Sequence, residues 1–193
     1  MGQRIYRLFW LSCVLVLLKP TASTAQNLLF NGDFDSDTSG WTGISSSTLS
    51  WVSDDGAPFS GDGSMMNINS FNNNASFPAI SDKFSVMPLY WYTSGASYKI
   101  PADSPVPWVW YVIYWYDDMN NQIGISNQVS VEFGVPNDVW EQFSGMSQAP
   151  ELATQGELRI YFTTGATGEI DLPYGLWDDV YLLEETIFIS GFD

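Results

Sequence analysis

The sequence contains no histidine, and its single cysteine, Cys13, falls within the first 25 residues. Without histidine, Ser-His and Cys-His nucleophiles and His-ligated zinc are excluded. Basic side chains are also scarce: Lys and Arg total 6 against 22 Asp and Glu, and Arg4, Arg7 and Lys19 all lie before residue 26. From residue 26 onward three basic groups face 22 acidic ones, a formal charge of −19. Such a chain repels a phosphate backbone and has no basic stripe to release its counterions, which excludes nucleic acid as a partner. An anionic membrane surface is disfavoured for the same reason. Ala, Lys and Arg, which favour helices, are thinly spread, and no amphipathic pattern is long enough for a major helix.

What is present begins with the N-terminal segment. Arg4 and Arg7 precede an apolar run from Leu8 to Leu18, followed by Pro20 and the small residues Ala22-Ser23-Thr24-Ala25. The run falls short of the ~20 residues that span a bilayer. A basic start, a short apolar stretch and a small-residue cleavage site read as a secretory signal peptide over residues 1–25, cut before Gln26. Cys13 leaves with it, so the secreted chain has no disulfide although its compartment permits one. Residues 26–185 read as one domain, large enough to bury a sizeable core. Residues 186–193 read as a C-terminal tail.

Aromatic residues make up 16% of the chain, and aromatic and β-branched side chains suit a pleated surface. Gly, Asn, Asp and Ser clusters interrupt the sequence at short intervals, as in an all-β sandwich or barrel. Strands are expected at Asn27–Phe30, Thr48–Val52, Ser64–Ile68, Asp82–Val86, Ser97–Ile100, Pro107–Asp117, Gln128–Phe133, Val139–Gly145, Glu157–Thr163 and Gly175–Leu183. About ten strands in one domain imply two packed antiparallel sheets.

Several of these segments carry an ordered set of motifs. Asn27-Leu28-Leu29-Phe30-Asn31-Gly32-Asp33-Phe34-Asp35 leads to Gly40-Trp41; Gly61-Asp62-Gly63-Ser64 forms a turn; Trp115 to Asn120 ends an aromatic strand; Trp140-Glu141-Gln142-Phe143 and Trp177-Asp178-Asp179-Val180 follow. Taken together they resemble the jelly-roll carbohydrate-binding modules of the galactose-binding-like type, over about residues 27–185. Two departures are Asp35, where those modules more often have Glu, and Asn120-Asn121 in place of a glycine turn.

The resemblance implies a two-sheet antiparallel β-sandwich (jelly roll) that binds polysaccharide and carries a structural calcium. By the match of motifs, Asp33 would contribute a carbonyl, Gly61 a loop ligand and Asp178 a carboxylate. Calcium takes six to eight oxygen ligands, which such residues supply. The alternative is that these aspartates are turn residues and solvated charges.

Alternation along the longest aromatic run places Trp108, Trp110, Val112, Tyr114 and Tyr116 on one face. Val109, Tyr111, Ile113, Trp115 and Asp117 take the other. One face of a sandwich strand fills the core, so large rings on the other can stack on sugars unless loops cover them. Trp110 and Tyr114 are the candidate platform here, with Trp91 and Trp51 as further candidates, whereas Trp41 and Trp140 match framework positions and are expected in the core.

Catalysis without His or Cys would fall to paired carboxylates, as in glycoside hydrolysis, and no spacing among the acidic residues singles out a pair. A non-catalytic binder is therefore expected. A surface or assembly protein on the same scaffold is the alternative, and a carboxylate-dependent glycoside hydrolase or lyase the minority one. The ending Ile187-Phe188-Ile189-Ser190-Gly191-Phe192-Asp193 resembles short Ile-Phe-x-x-Gly-Phe-Asp/Glu endings of secreted proteins from some gamma-proteobacteria, which points to a bacterial, extracellular or cell-surface location.

Overall fold

The computed structural model describes residues 26–44, 46–58, 60–71, 75–106, 108–132, 137–164 and 172–185. The signal peptide and the C-terminal tail expected above lie outside the described residues. Within them there is no helix, and twelve strands are formed: β1 (Trp41–Gly43), β2 (Ser47–Val52), β3 (Ser64–Asn69), β4 (Ser76–Ser81), β5 (Phe84–Ser85), β6 (Trp91–Lys99), β7 (Trp108–Tyr116), β8 (Gln122–Ile125), β9 (Val129–Glu132), β10 (Trp140–Gln148), β11 (Gln155–Thr163) and β12 (Tyr174–Glu184). A seven-stranded sheet runs β1-β4-β11-β7-β8, with β5 added to β11 and β9 to β7. A five-stranded sheet runs β10-β6-β12-β3-β2. Every strand pair is antiparallel, and the two sheets pack as a jelly-roll sandwich.

Period-two alternation fills the space between the sheets. Val109, Tyr111, Ile113 and Trp115 of β7 point inward and are buried, as are Tyr92, Ala96 and Tyr98 of β6 and Leu158, Ile160 and Phe162 of β11. Trp177 of β12 stacks on Phe162 across the gap, with ring centroids 4.4 Å apart. Each such side chain contributes roughly 1.5–3 kcal/mol on burial. Two polar pairs lie inside: the Tyr111 hydroxyl meets Ser94 at 2.9 Å, and Asn67 of β3 donates to the Phe77 carbonyl of β4 at 2.9 Å, pinning one sheet to the other, whereas the buried Trp177 indole N–H has no hydrogen-bond partner.

Three expectations are corrected. Asn27–Phe30 forms no strand; it touches β12 by an isolated bridge between Asn27 and Leu183 and by the Leu28 amide on the Leu182 carbonyl. The Asn27 side chain takes over the ladder's role, donating to the Val180 carbonyl and accepting from the Leu182 amide, before Asn31 turns the chain at φ 51°. The strand assigned to Asp82–Val86 lies mainly earlier, at β4, leaving only the two residues of β5. Pro78, which has no N–H to donate, is tolerated in β4 because it sits just past the reach of β1, which pairs only with residues 79–81. Trp41 is in the core, but Trp140 is half-buried on the outer side of the five-stranded sheet, beneath the Lys99 ammonium.

Candidate functional site

The outer face of the seven-stranded sheet is paved with aromatic rings. β7 contributes Trp108, Trp110, Val112, Tyr114 and Tyr116, and its register with β11 sets Tyr161 opposite Trp110 and Arg159 opposite Val112. Trp110 and Tyr161 stand stacked, centroids 3.7 Å apart and 2° from parallel, and the Trp110 indole N–H donates to Thr163 Oγ1 at 3.0 Å. The Arg159 guanidinium lies 3.8 Å from the Tyr114 ring centre and pairs with Glu157 at 2.6 Å. Lys83 lies over the Tyr116 ring at 3.3 Å. Trp108 is the ring most open to solvent on this strand, at 41% exposure.

Electrostatics tie these side chains together. Burial works against the Arg159 charge, but the hydrogen bond and charge of Glu157 outweigh it and hold the guanidinium above its ordinary pKa. Burial pushes the Tyr161 hydroxyl up to about 12, and neighbouring Tyr114 adds to the rise. Arg159 and Tyr161 therefore keep their protons across the physiological range, and hydroxyl, guanidinium and indole groups stand together on the face. Such a surface can stack on the C–H face of a sugar ring and hydrogen-bond its hydroxyls.

Trp110 and Tyr114 are thus on one face, but the structure does not bring Trp91 or Trp51 to them. Trp91 opens β6 on the other sheet. Trp51 lies on β2, at an edge of that sheet, 41% exposed, with its indole N–H on the Phe34 carbonyl at 2.7 Å.

Asp178 is a separate matter. A bulge after it breaks the β6–β12 register, and Asp179 takes φ 46°. Asp178 is fully buried on the outer side of the five-stranded sheet, covered by the loop that joins β2 to β3. One oxygen accepts from the Ala57 amide at 2.7 Å; the other accepts from the Asp179 amide at 2.7 Å and from Ser60 Oγ at 3.2 Å. Desolvation nonetheless raises its pKa to about 7, which those amide bonds oppose and the Asp179 charge reinforces. Ser64, the next residue of β3 past the Met65–Trp177 pair, is buried with a hydroxyl that has no hydrogen-bond partner. Gly61 lies on the same loop, so close to Asp35 that a Cβ there would fall 1.5 Å from Asp35 Oδ1. Asp33 is exposed.

Among the described residues no three acidic side chains cluster tightly enough to hold a metal by themselves. The oxygen groups of this region are the buried Asp178 carboxylate, which meets Ser60, and the Asp35 carboxylate, which meets Gly61. Oxygen groups of this kind fit calcium in chemistry, and the desolvated Asp178 carboxylate is what a cation would relieve.

No family model matches the sequence, and no curated protein matches it. Solved structures do. The enzymatically active domain of bacteriophage CBA120 tailspike protein 4 matches with TM-score 0.60 at 13% identity, covering 82% of this chain, which spans only 21% of that one. The CBM22-1 xylan-binding domain from Paenibacillus barcinonensis Xyn10C matches with TM-score 0.59 at 14% identity, over 85% of this chain and 97% of that one. A family 61 carbohydrate-binding module in complex with beta-1,4-galactotriose matches with TM-score 0.55 at 17% identity, over 83% of this chain and all of the module, 100%. The fold is that of a carbohydrate-binding module.

Within this carbohydrate-binding-module fold, sequence reasoning overlooked three members of the outer face and one of the loop. Arg159 and Tyr161 were signalled by the alternation of Glu157, Arg159, Tyr161 and Thr163 with apolar Leu158, Ile160 and Phe162. Lys83 had no local signal, because a loop brings it across to Tyr116. Asp35 was signalled by its place in the opening motif, yet only the folded loop shows that its carboxylate meets Gly61.

Proposed function

We propose that the chain is a secreted, non-catalytic module that binds a polysaccharide along the outer face of its seven-stranded sheet, with a structural calcium at Asp178. The observation that carries this reading is the row of rings on β7 and β11. Trp108 offers a ring 41% exposed to solvent, Trp110 and Tyr161 a stacked pair, and Tyr114 a ring capped by Arg159. A sheet face so rich in indole, phenol and guanidinium matches the stacking and hydroxyl chemistry of a glycan chain. The carbohydrate-binding modules with the same fold include a xylan-binding domain and one in complex with beta-1,4-galactotriose, which supports the ligand class without naming the sugar.

Catalysis finds less support. A glycosidase needs a carboxylate pair roughly 5–9.5 Å apart, and Glu157 of this face is already paired with Arg159. For the calcium, Asp178, Gly61 and Asp35 would hold the ion with the Ser60 and Ser64 hydroxyls; its contribution would be to tie the β2–β3 loop to β12.

The test is affinity electrophoresis of the protein through gels of xylan, β-1,4-galactan, β-mannan or β-glucan, with calcium or EDTA. One polysaccharide should retard it, and Trp108→Ala should weaken that binding by at least about tenfold, or ~1.4 kcal/mol, with little change in melting temperature. Free migration in every gel would remove the glycan reading and leave a surface or assembly protein on this scaffold.

A further inference from the structure

The sandwich has a second aromatic cleft, on the seam between its sheets. β8 is an edge of the seven-stranded sheet and β10 an edge of the five-stranded one. Between them lies a cleft of about 270 Å³ walled by Trp91, Ile125, Met146 and Pro150, with the core residue Trp115 at its base. Trp91, Ile125 and Met146 are 36%, 53% and 55% exposed, so the apolar wall is open to solvent. Ser126, Asn127 and Gln148 add hydroxyl and amide groups. None of the lining residues is ionisable, in a chain that carries 22 acidic side chains.

The rim of this cleft is held in a costly conformation. Leu89, 56% exposed, has φ 64°, a backbone region that a bulky side chain rarely adopts. Such outliers persist only where the surroundings fix them. Here the Leu89 amide donates to the Ala149 carbonyl at 3.0 Å, Gln148 Nε2 donates to the Leu89 carbonyl at 2.8 Å, and the Ala149 amide returns to the Tyr90 carbonyl at 2.9 Å. The Met87 amide is anchored on the Tyr92 hydroxyl at 2.7 Å. The segment leading into Trp91 is thereby set before any ligand arrives, which lowers the ordering cost of binding.

We propose that this cleft is a second sugar site, taking one or two rings of a neutral glycan and distinct from the outer face; its ligand class rests on the carbohydrate-binding reading above. The Trp91 indole supplies a stacking surface, and the Gln148 side-chain oxygen and the Asn127 amide supply acceptors and donors of the strength sugar hydroxyls use. Its size is at the small end for ligand pockets. With no cation in the lining, a uronate or sulfate would enter unpaired, so the site selects uncharged rings.

Titration calorimetry of the whole chain with xylohexaose, cellohexaose and β-1,4-galactotriose tests this, on wild type, Trp91→Ala, Met146→Glu and Trp108→Ala, with melts to confirm folding. At least one probe should bind wild type at two sites. Trp91→Ala and Met146→Glu should each reduce the stoichiometry to one, and Trp108→Ala should remove the other site. Met146 is exposed, so a charge there leaves the fold intact and covers the case in which Trp91→Ala does not. A single site untouched by both cleft variants overturns the cleft proposal alone. Loss of all binding in Trp91→Ala with none in Trp108→Ala overturns the outer-face reading alone and upholds the cleft. No binding of any probe overturns both. A wild-type dimer in light scattering that Met146→Glu converts to monomer would assign the seam to self-association instead.

Discussion

At the scale of single residues, the Asp178 carboxylate is shut away from solvent and accepts two amide hydrogen bonds and a hydroxyl, yet its pKa lies near 7 rather than at the ordinary 3.8. Between those two values the folded chain keeps a proton that the unfolded chain has released. Stability owed to this group therefore falls as pH rises through the window, by about 1.4 kcal/mol per pH unit, and the whole cost is felt above it. In EDTA, wild type should lose stability relative to Asp178→Asn between about pH 5 and about pH 8, measured by thermal melts. Calcium should raise the wild-type melting temperature more at the upper pH than at the lower, because a protonated carboxyl is a poor ligand. A melting curve indifferent to chelator at both pH values would take calcium out of the site.

At the scale of elements, the N-terminal segment depends on one close approach to β12. Val180 donates to the Gly32 carbonyl at 2.7 Å, and a Cβ on Gly32 would fall 2.0 Å from the Val180 carbonyl oxygen, a backbone atom that cannot swing aside. Gly32→Ala should cost at least ~2 kcal/mol in denaturant unfolding and speed hydrogen exchange at Leu28. The Asn-Gly pair in the sequence announces a turn there, but not what the turn must clear. The same division runs through the other elements. Alternation in β7 sorted its rings into two faces, because a strand's period is rigid. It could not tell that Trp110 stands stacked against Tyr161 rather than lying open, since that depends on a residue of the neighbouring strand 51 positions away. β4 was misplaced because its bounds are set by its partners β1 and β11, which local sequence does not show. Trp91 and Trp51 looked equivalent to Trp110 as exposed aromatics; sheet order alone separates them.

Over the whole molecule, charge is the dominant unbalanced quantity. The described residues contain two ion pairs, Lys99 with Asp55 and Arg159 with Glu157, against a formal charge of −19 from residue 26 onward. Most carboxylates therefore repel one another across the surface. Raising ionic strength from about 0.01 M to about 0.15 M shortens the screening length from roughly 30 Å to 8 Å, and the melting temperature should climb by several degrees in calorimetry, an effect that fades towards acid pH as the carboxylates protonate. A melting temperature that falls with salt would mean the two ion pairs outweigh the repulsion. The antiparallel bridge from Asn27 to Leu183 has a mechanical side as well. It brings both ends of the described fold to one spot, with the chain leaving on the same side of the bridge in each direction. Tension applied between them parts the Asn27, Leu28 and Gly32 contacts one after another, as a zipper opens, instead of loading them in shear. A load borne from a single tether bypasses that seam, and the outer face and the cleft then stay folded while the anchor is pulled.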